Sequence, residues 1–197
     1  VATWTRATIL DLPGWWRGRA RNCRPTTDGI ADAVRRWAAE RPGRRMVLVG
    51  HSTGAQAVAR AAADLPPSVA GVVLAGPVFA PTIRTWPALL RAAAATVPAE
   101  TPGELAAVLP SYLHSGLVPL VRLLADGLRE GAGAYASVAG PVTVITGRRD
   151  ELAPPWWASE LAVRLGGPMQ LVPGGHNCVY RHPQAVSAVL RDTVSGW

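Results

Sequence analysis

The stretch Met46-Val47-Leu48-Val49-Gly50-His51-Ser52-Thr53-Gly54-Ala55-Gln56-Ala57 leaves this chain few ways to fold. A β-branched apolar run climbs into Gly-His-Ser-Thr-Gly, and an Ala-rich helical pattern follows. The order is strand, tight turn, helix. Ser52 stands at the turn, where Gly50 and Gly54 permit a strained backbone because neither carries a Cβ that would clash. Strain of this kind lifts the serine hydroxyl clear of the sheet. The helix starting beside it aims free N–H groups and the positive end of its dipole at the same spot, where negative charge on a substrate oxygen would be stabilised. The plainer alternative is a serine that merely caps the helix. Gly-x-Ser-x-Gly matches also arise by chance, and it is the flanking strand and helix that favour a nucleophile here.

Around this centre the rhythm is regular. Arg6-Ala7-Thr8-Ile9-Leu10-Asp11-Leu12 reads as a buried strand, broken by Pro13-Gly14. After an aromatic loop, Thr26-Thr27-Asp28 offers caps for a helix over 29–41, with Ile30, Val34 and Trp37 on one face. The strand 46–50 comes next, then a helix over 55–64, then a buried strand at Val69–Ala75. This β-α-β-α-β order implies a mainly parallel sheet covered by helices on both faces, an α/β architecture. Residues 80–138 break the rhythm. They are rich in Ala and Leu, punctuated by proline, and suit short helices near 86–95, 102–109 and 117–130, too apolar for a linker. Gly140-Pro141 restarts the sheet at 142–146. A helix over 155–165, a short strand at 169–172 and a closing helix marked by Ala185, Val186, Val189 and Leu190 complete the chain. The domain division is therefore 1–79 and 139–197 as core, with 80–138 as a helical insertion.

Charge and cysteine usage narrow the function classes. The net charge is +7 and every basic residue is arginine. The arginines are scattered in short pairs, with no basic stripe interleaved with aromatics, so a nucleic-acid site is not indicated. Cys23 and Cys178 make neither a disulfide framework nor a metal site, and a single bridge between them stays open. No apolar run is long enough to span a bilayer. The stretch Val1-Ala2-Thr3-Trp4 has no charged-then-apolar signal pattern and no initiator methionine, so a processed or truncated start stays open; nothing in it addresses the chain to export, and the expected location is the cytoplasm.

Ligands bind outside the carboxyl ends of strands in parallel sheets. Ser52, Asp150 and His176 all follow apolar strands, so all three should share one edge. A neutral serine is a poor nucleophile until an imidazole takes its proton. The imidazole in turn needs a carboxylate to fix its tautomer and stabilise its protonated form. The order Ser…Asp…His is the one associated with this kind of turn. Each has a rival reading: Asp150 as a surface charge beside Glu151, His176 as a helix cap with His182 nearby. His51 is expected to be a packing residue. His114 and the tryptophans at 15, 16, 86, 156 and 157 are weaker candidates, Trp86 being the best placed to line a pocket.

These pieces resemble a capped α/β-hydrolase of the lipase/esterase–epoxide hydrolase superfamily. The resemblance rests on Asp11-Leu12-Pro13-Gly14, Gly50-His51-Ser52-Thr53-Gly54, the run Val144 to Asp150, and Gly174-Gly175-His176-Asn177 with Pro183 after it. It covers residue 6 to the end. It implies Ser52 as nucleophile, Asp150 as the acid, His176 as the base and the Thr53 N–H as an oxyanion donor. It also makes 80–138 a cap over the site. Epoxide chemistry is disfavoured, since those relatives carry aspartate where Ser52 stands. The implied reaction is acyl transfer to water from a small or medium, partly apolar ester, lactone or thioester, with no metal or organic cofactor required. Carbon–carbon bond hydrolysis, transfer to another acceptor, and a non-catalytic ligand receptor are the alternatives.

The chain departs from the family pattern at its start. The family carries about three strands and a helix ahead of the Asp-Leu-Pro-Gly strand, and the third ends in a His-Gly loop that gives the second oxyanion donor. Two readings follow. Either the sequence is incomplete at its start, or it forms a minimal sheet of five strands with 6–12 paired directly to 46–50.

Overall fold

The computed structural model describes residues 1, 3–12, 22–136 and 138–196, and of 111–115 the backbone alone. The aromatic loop with Trp15 and Trp16, and the Pro13-Gly14 break, lie outside the described residues, as does the His114 side chain.

Four strands form one parallel sheet in the order in which they occur: β1 (Met46–His51), β2 (Val69–Ala75), β3 (Val142–Gly147) and β4 (Met169–Val172). Helix α1 (Thr27–Ala39) precedes β1, and α2 (Thr53–Ala61) follows it. Between β2 and β3 lie α3 (Trp86–Thr96), α4 (Pro102–Ser115) and α5 (Leu117–Glu130), with 3-10 turns at Val97–Ala99 and Gly131–Tyr135. Helix α6 (Pro155–Leu165) links β3 to β4, and α7 (Cys178–Arg181) and α8 (Pro183–Ser195) close the chain.

Side chains alternate across the strands, and that alternation builds two cores. Leu48, Val72, Leu74, Val142 and Val144 face α1, α2 and α6 in the larger cluster. Val73, Ala75, Ile145 and Val172 face Cys178 of α7 and Val186 and Leu190 of α8 in the smaller one. Both faces of the inner strands β2 and β3 are thus covered, which is why they read as continuous apolar runs, whereas Val49 of the edge strand β1 stays half exposed. Cys23 packs against the first cluster and Cys178 lies in the second, and both thiols are free, so the bridge left open by the sequence does not form.

Local signals set most boundaries. The Thr26 side chain accepts the Gly29 N–H and starts α1. Thr101 and Glu104 form a reciprocal capping box at the start of α4. Helix α4 runs through Pro110 to Ser115, past the stop expected near 109. A proline removes one N–H from the ladder, and here the turns beyond it persist. Gln56, fully buried in α2, donates its Nε2 hydrogens to the Gly127 and Gly131 carbonyls at 3.1 Å each and so ties α2 to the end of α5.

The strand expected at 6–12, and with it the five-strand sheet, is overturned. Residues 6–12 form no strand, and among the described residues the sheet has four strands, not five. Ile9 is 94% exposed, and only Leu10 and Leu12 touch the core. The segment is drawn away from β1 at its start: Trp4 Nε1 donates to Ser187 Oγ of α8 at 2.8 Å, with the Arg191 guanidinium over the Trp4 ring. A cavity of about 1750 Å³ separates it from β1. Too few apolar side chains point one way from 6–12 to offset the cost of ordering it against an edge.

Candidate active site

Strand β1 delivers Ser52 at φ 57°, ψ −126°, a conformation that costs a non-glycine residue on the order of 1–3 kcal/mol. The surrounding structure over-determines it. The Ser52 N–H donates to the Ala75 carbonyl at the end of β2, 3.0 Å away. Gly50 lets the first turn of α2 fold back on the strand, since a Cβ there would lie 2.3 Å from the Gly54 carbonyl oxygen. Gly54 plays no such part: a Cβ on it would meet nothing within 4 Å among the described residues, so the expected clash exists at Gly50 alone. Ser52 makes no side-chain capping bond to α2, which removes the plainer reading of this residue.

The loop after β3 delivers Asp150, and the loop after β4 delivers His176. His176 Nε2 lies 2.9 Å from Ser52 Oγ, and His176 Nδ1 lies 2.8 Å from Asp150 Oδ2. Three side chains far apart in sequence converge at one rim, as the strand ends require. Asp150 is fully buried, whereas Glu151 is exposed. Its other oxygen, Oδ1, accepts the N–H groups of Leu152 at 2.9 Å and Ala153 at 2.8 Å. Burial alone would raise its pKa. The His176 charge and hydrogen bond, with the Ala153 N–H, outweigh burial and hold the carboxyl below the usual range. A carboxylate so held fixes the Nδ1–H tautomer of His176 and leaves the Nε2 lone pair free for the Ser52 proton. Thr53 is the first residue of α2, and its N–H takes no main-chain partner among the described residues. His182 sits at the head of α8 and makes none of these hydrogen bonds.

Gly76 and His51 make contacts that no sequence signal marks. Gly76, just past β2 at φ +52°, faces the pair directly: a Cβ there would lie 3.1 Å from the His176 ring and 3.4 Å from Asp150 Oδ2. Its only signal was a glycine before Pro77, which reads as an ordinary strand end. His51 does more than pack. Its Nε2–H donates to the His176 carbonyl at 2.9 Å, and the two rings lie 5.0 Å apart. Burial and the neighbouring His176 charge push His51 down to about 4. An unfolded His51 takes its proton near 6.5, whereas the folded one stays neutral until about 4. Its contribution to stability is therefore complete above pH 6.5 and is lost as pH falls toward 4, on the order of 2–3 kcal/mol for a half-buried ring. Denaturant unfolding of the wild type at stepped pH from 7.5 to 4.5 should show this loss, and His51→Gln should flatten it. Parallel slopes for the two proteins would refute the assignment.

Ser52 and Thr53 border the 1750 Å³ cavity, whose wall includes Leu120, Leu123 and Leu124 of α5. Trp86 stands exposed at the head of α3 and is not among the residues lining this cavity. Trp156 is exposed, and Trp157 is buried with its Nε1–H on the Pro77 carbonyl at 2.9 Å. Burial and the Asp150 charge push the Cys178 thiol up to about 12, so it is an inert core group. No helix among the described residues is long and apolar enough to cross a membrane.

A sequence model of the alpha/beta hydrolase family matches residues 2–189. Solved structures share the architecture at low identity. E-2-(acetamidomethylene)succinate hydrolase superposes with a TM-score of 0.67 at 20% identity, covering 90% of this chain and 76% of that one. A bromoperoxidase from Bacillus anthracis gives 0.63 at 14% identity, over 87% and 75%. The thioesterase domain from the curacin biosynthetic pathway gives 0.58 at 18% identity, over 86% and 73%. No curated protein is a significant match to the sequence.

Proposed function

The chain belongs to the alpha/beta hydrolase family, and we propose that within it this protein is a serine hydrolase acting through an acyl-enzyme on Ser52. The reading rests on one observation, the unbroken hydrogen-bonded line Ser52 Oγ–His176 Nε2, His176 Nδ1–Asp150 Oδ2. In the proposed cycle Ser52 Oγ attacks a substrate carbonyl while His176 Nε2 takes its proton. Asp150 stabilises the imidazolium without itself becoming protonated. The tetrahedral oxygen is held by the Thr53 N–H at the positive end of α2. His176 returns the proton to the leaving group, then activates water to release the acid.

The substrate is a small or medium, partly apolar ester, lactone or thioester, in keeping with the leucines that share the cavity wall with Ser52. The helical stretch 80–138 is the cap of this site. Hydrolytic relatives, a thioesterase domain among them, share the fold and are consistent with acyl chemistry.

A fluorophosphonate probe tests the proposal. Stoichiometric labelling, mapped by mass spectrometry to the peptide containing Ser52, is expected. A folded chain that takes no label would favour a non-catalytic receptor built on the same fold.

A further inference from the structure

We propose that Glu100 is a positioning residue for the His176 loop, an inference that rests on the serine-hydrolase reading above. Glu100 follows the 3-10 turn Val97–Ala99, in the helical stretch rather than in the sheet. Its Oε1 accepts the Asn177 main-chain N–H at 3.0 Å, and its Oε2 accepts an Asn177 Nδ2 hydrogen at 3.0 Å. One carboxylate thus fixes both the backbone and the side chain of the residue after His176. Hydrogen bonds to a charged acceptor are stronger than neutral ones, so this is a firm anchor. The residue before His176 is also involved. A Cβ on Gly175 would lie 2.6 Å from Glu100 Oε1 and 3.0 Å from the Ala99 Cβ, so the glycine is what lets the loop lie flat against this segment.

The same segment reaches the Asp150 loop. Thr96, buried at the end of α3, accepts the Glu151 N–H on its Oγ1 at 3.2 Å while donating to the Ala92 carbonyl at 3.0 Å. Residues 96–100 therefore brace the neighbours of both Asp150 and His176. The His176 main chain is held from the sheet side by His51 and from the helical side by Glu100. The link from Ser52 to His176 is a single 2.9 Å hydrogen bond. A loss of position of about 1 Å would break it, and displacements of that size typically cost about 100-fold in rate.

The test is the rate of fluorophosphonate labelling of the full chain, with kcat and KM on p-nitrophenyl acetate and a thermal melt of each variant. Glu100→Ala should label about 10- to 100-fold more slowly and lose kcat with KM unchanged. Glu100→Gln should stay within about 3-fold of wild type, because the Asn177 amide can turn its oxygen toward the introduced amide nitrogen. Asn177→Asp sets two carboxylates against each other and should be as slow as Glu100→Ala. Adding Glu100→Gln to it should restore the rate. Wild-type labelling by Glu100→Ala, with none by Ser52→Ala, overturns the brace and leaves the hydrolase reading standing. Failure of the double variant to recover overturns the brace as well, and decides the matter if Glu100→Ala does not fold. Equal labelling of Ser52→Ala and wild type overturns the hydrolase reading and the brace with it.

Discussion

Changing Asp150 to asparagine should lower kcat/KM on an activated ester by about 10⁴, the loss expected when the imidazole is held in the wrong tautomer. The reason lies in how the carboxylate is seated. Oδ1 accepts two N–H groups, from Leu152 and Ala153, and so can only be an oxygen. An asparagine would keep its carbonyl there, since turning over would set its NH₂ against both donors. Its nitrogen then faces His176 Nδ1, where Asp150 Oδ2 now stands at 2.8 Å. To avoid two donors meeting, the imidazole must offer Nδ1 as acceptor and carry its hydrogen on Nε2. That nitrogen points at Ser52 Oγ and could no longer take its proton. The backbone donors remain satisfied, so the melting transition should move little. Rates measured on p-nitrophenyl acetate beside thermal melts would decide it. A variant that keeps a tenth or more of wild-type activity would show that Asp150 does not set the His176 tautomer.

The residues that meet at this site were legible because each stands where a local pattern ends. The runs Met46–Val49, Val142–Ile145 and Met169–Val172 are short, apolar and bounded by glycine or proline, so their ends could be read without knowing what they pair with. Parallel pairing then puts every strand end on the same side. The segment 6–12 carried the same local signal and failed, because a strand also needs an edge within reach, and Trp4 is tethered to α8 instead. Sequence pattern states what a segment can do; which neighbour holds it is decided by tertiary packing. The Glu100–Asn177 contact was invisible for the related reason that it joins residues 77 apart, with no periodicity or spacing to mark it. A histidine beside a nucleophile has many uses, so the sequence marks His51 only for packing, and geometry alone shows its Nε2 directed at the His176 carbonyl.

The glycines flanking Ser52 look equivalent in the sequence and should behave as opposites. Gly50→Ala would place a Cβ 2.3 Å from the Gly54 oxygen, 2.6 Å from its carbonyl carbon and 2.8 Å from the Ala55 Cα. All three are backbone atoms of the first turn of α2, so no rotamer change relieves the clash. Either the helix must lift off β1, or Ser52 must leave its strained conformation; both undo the packing of Ala55, Val58 and Ala59 in the main core. The cost should be about 3 kcal/mol or more, at the upper end for overpacked sites. Gly54→Ala meets nothing within 4 Å among the described residues and lies within α2, where alanine is the better helix former, so it should be neutral or stabilising by about 0.4–1 kcal/mol. Urea unfolding of the two variants side by side measures the contrast. Similar midpoints would mean that the close approach of Gly50 to α2 is not what shapes the turn carrying Ser52.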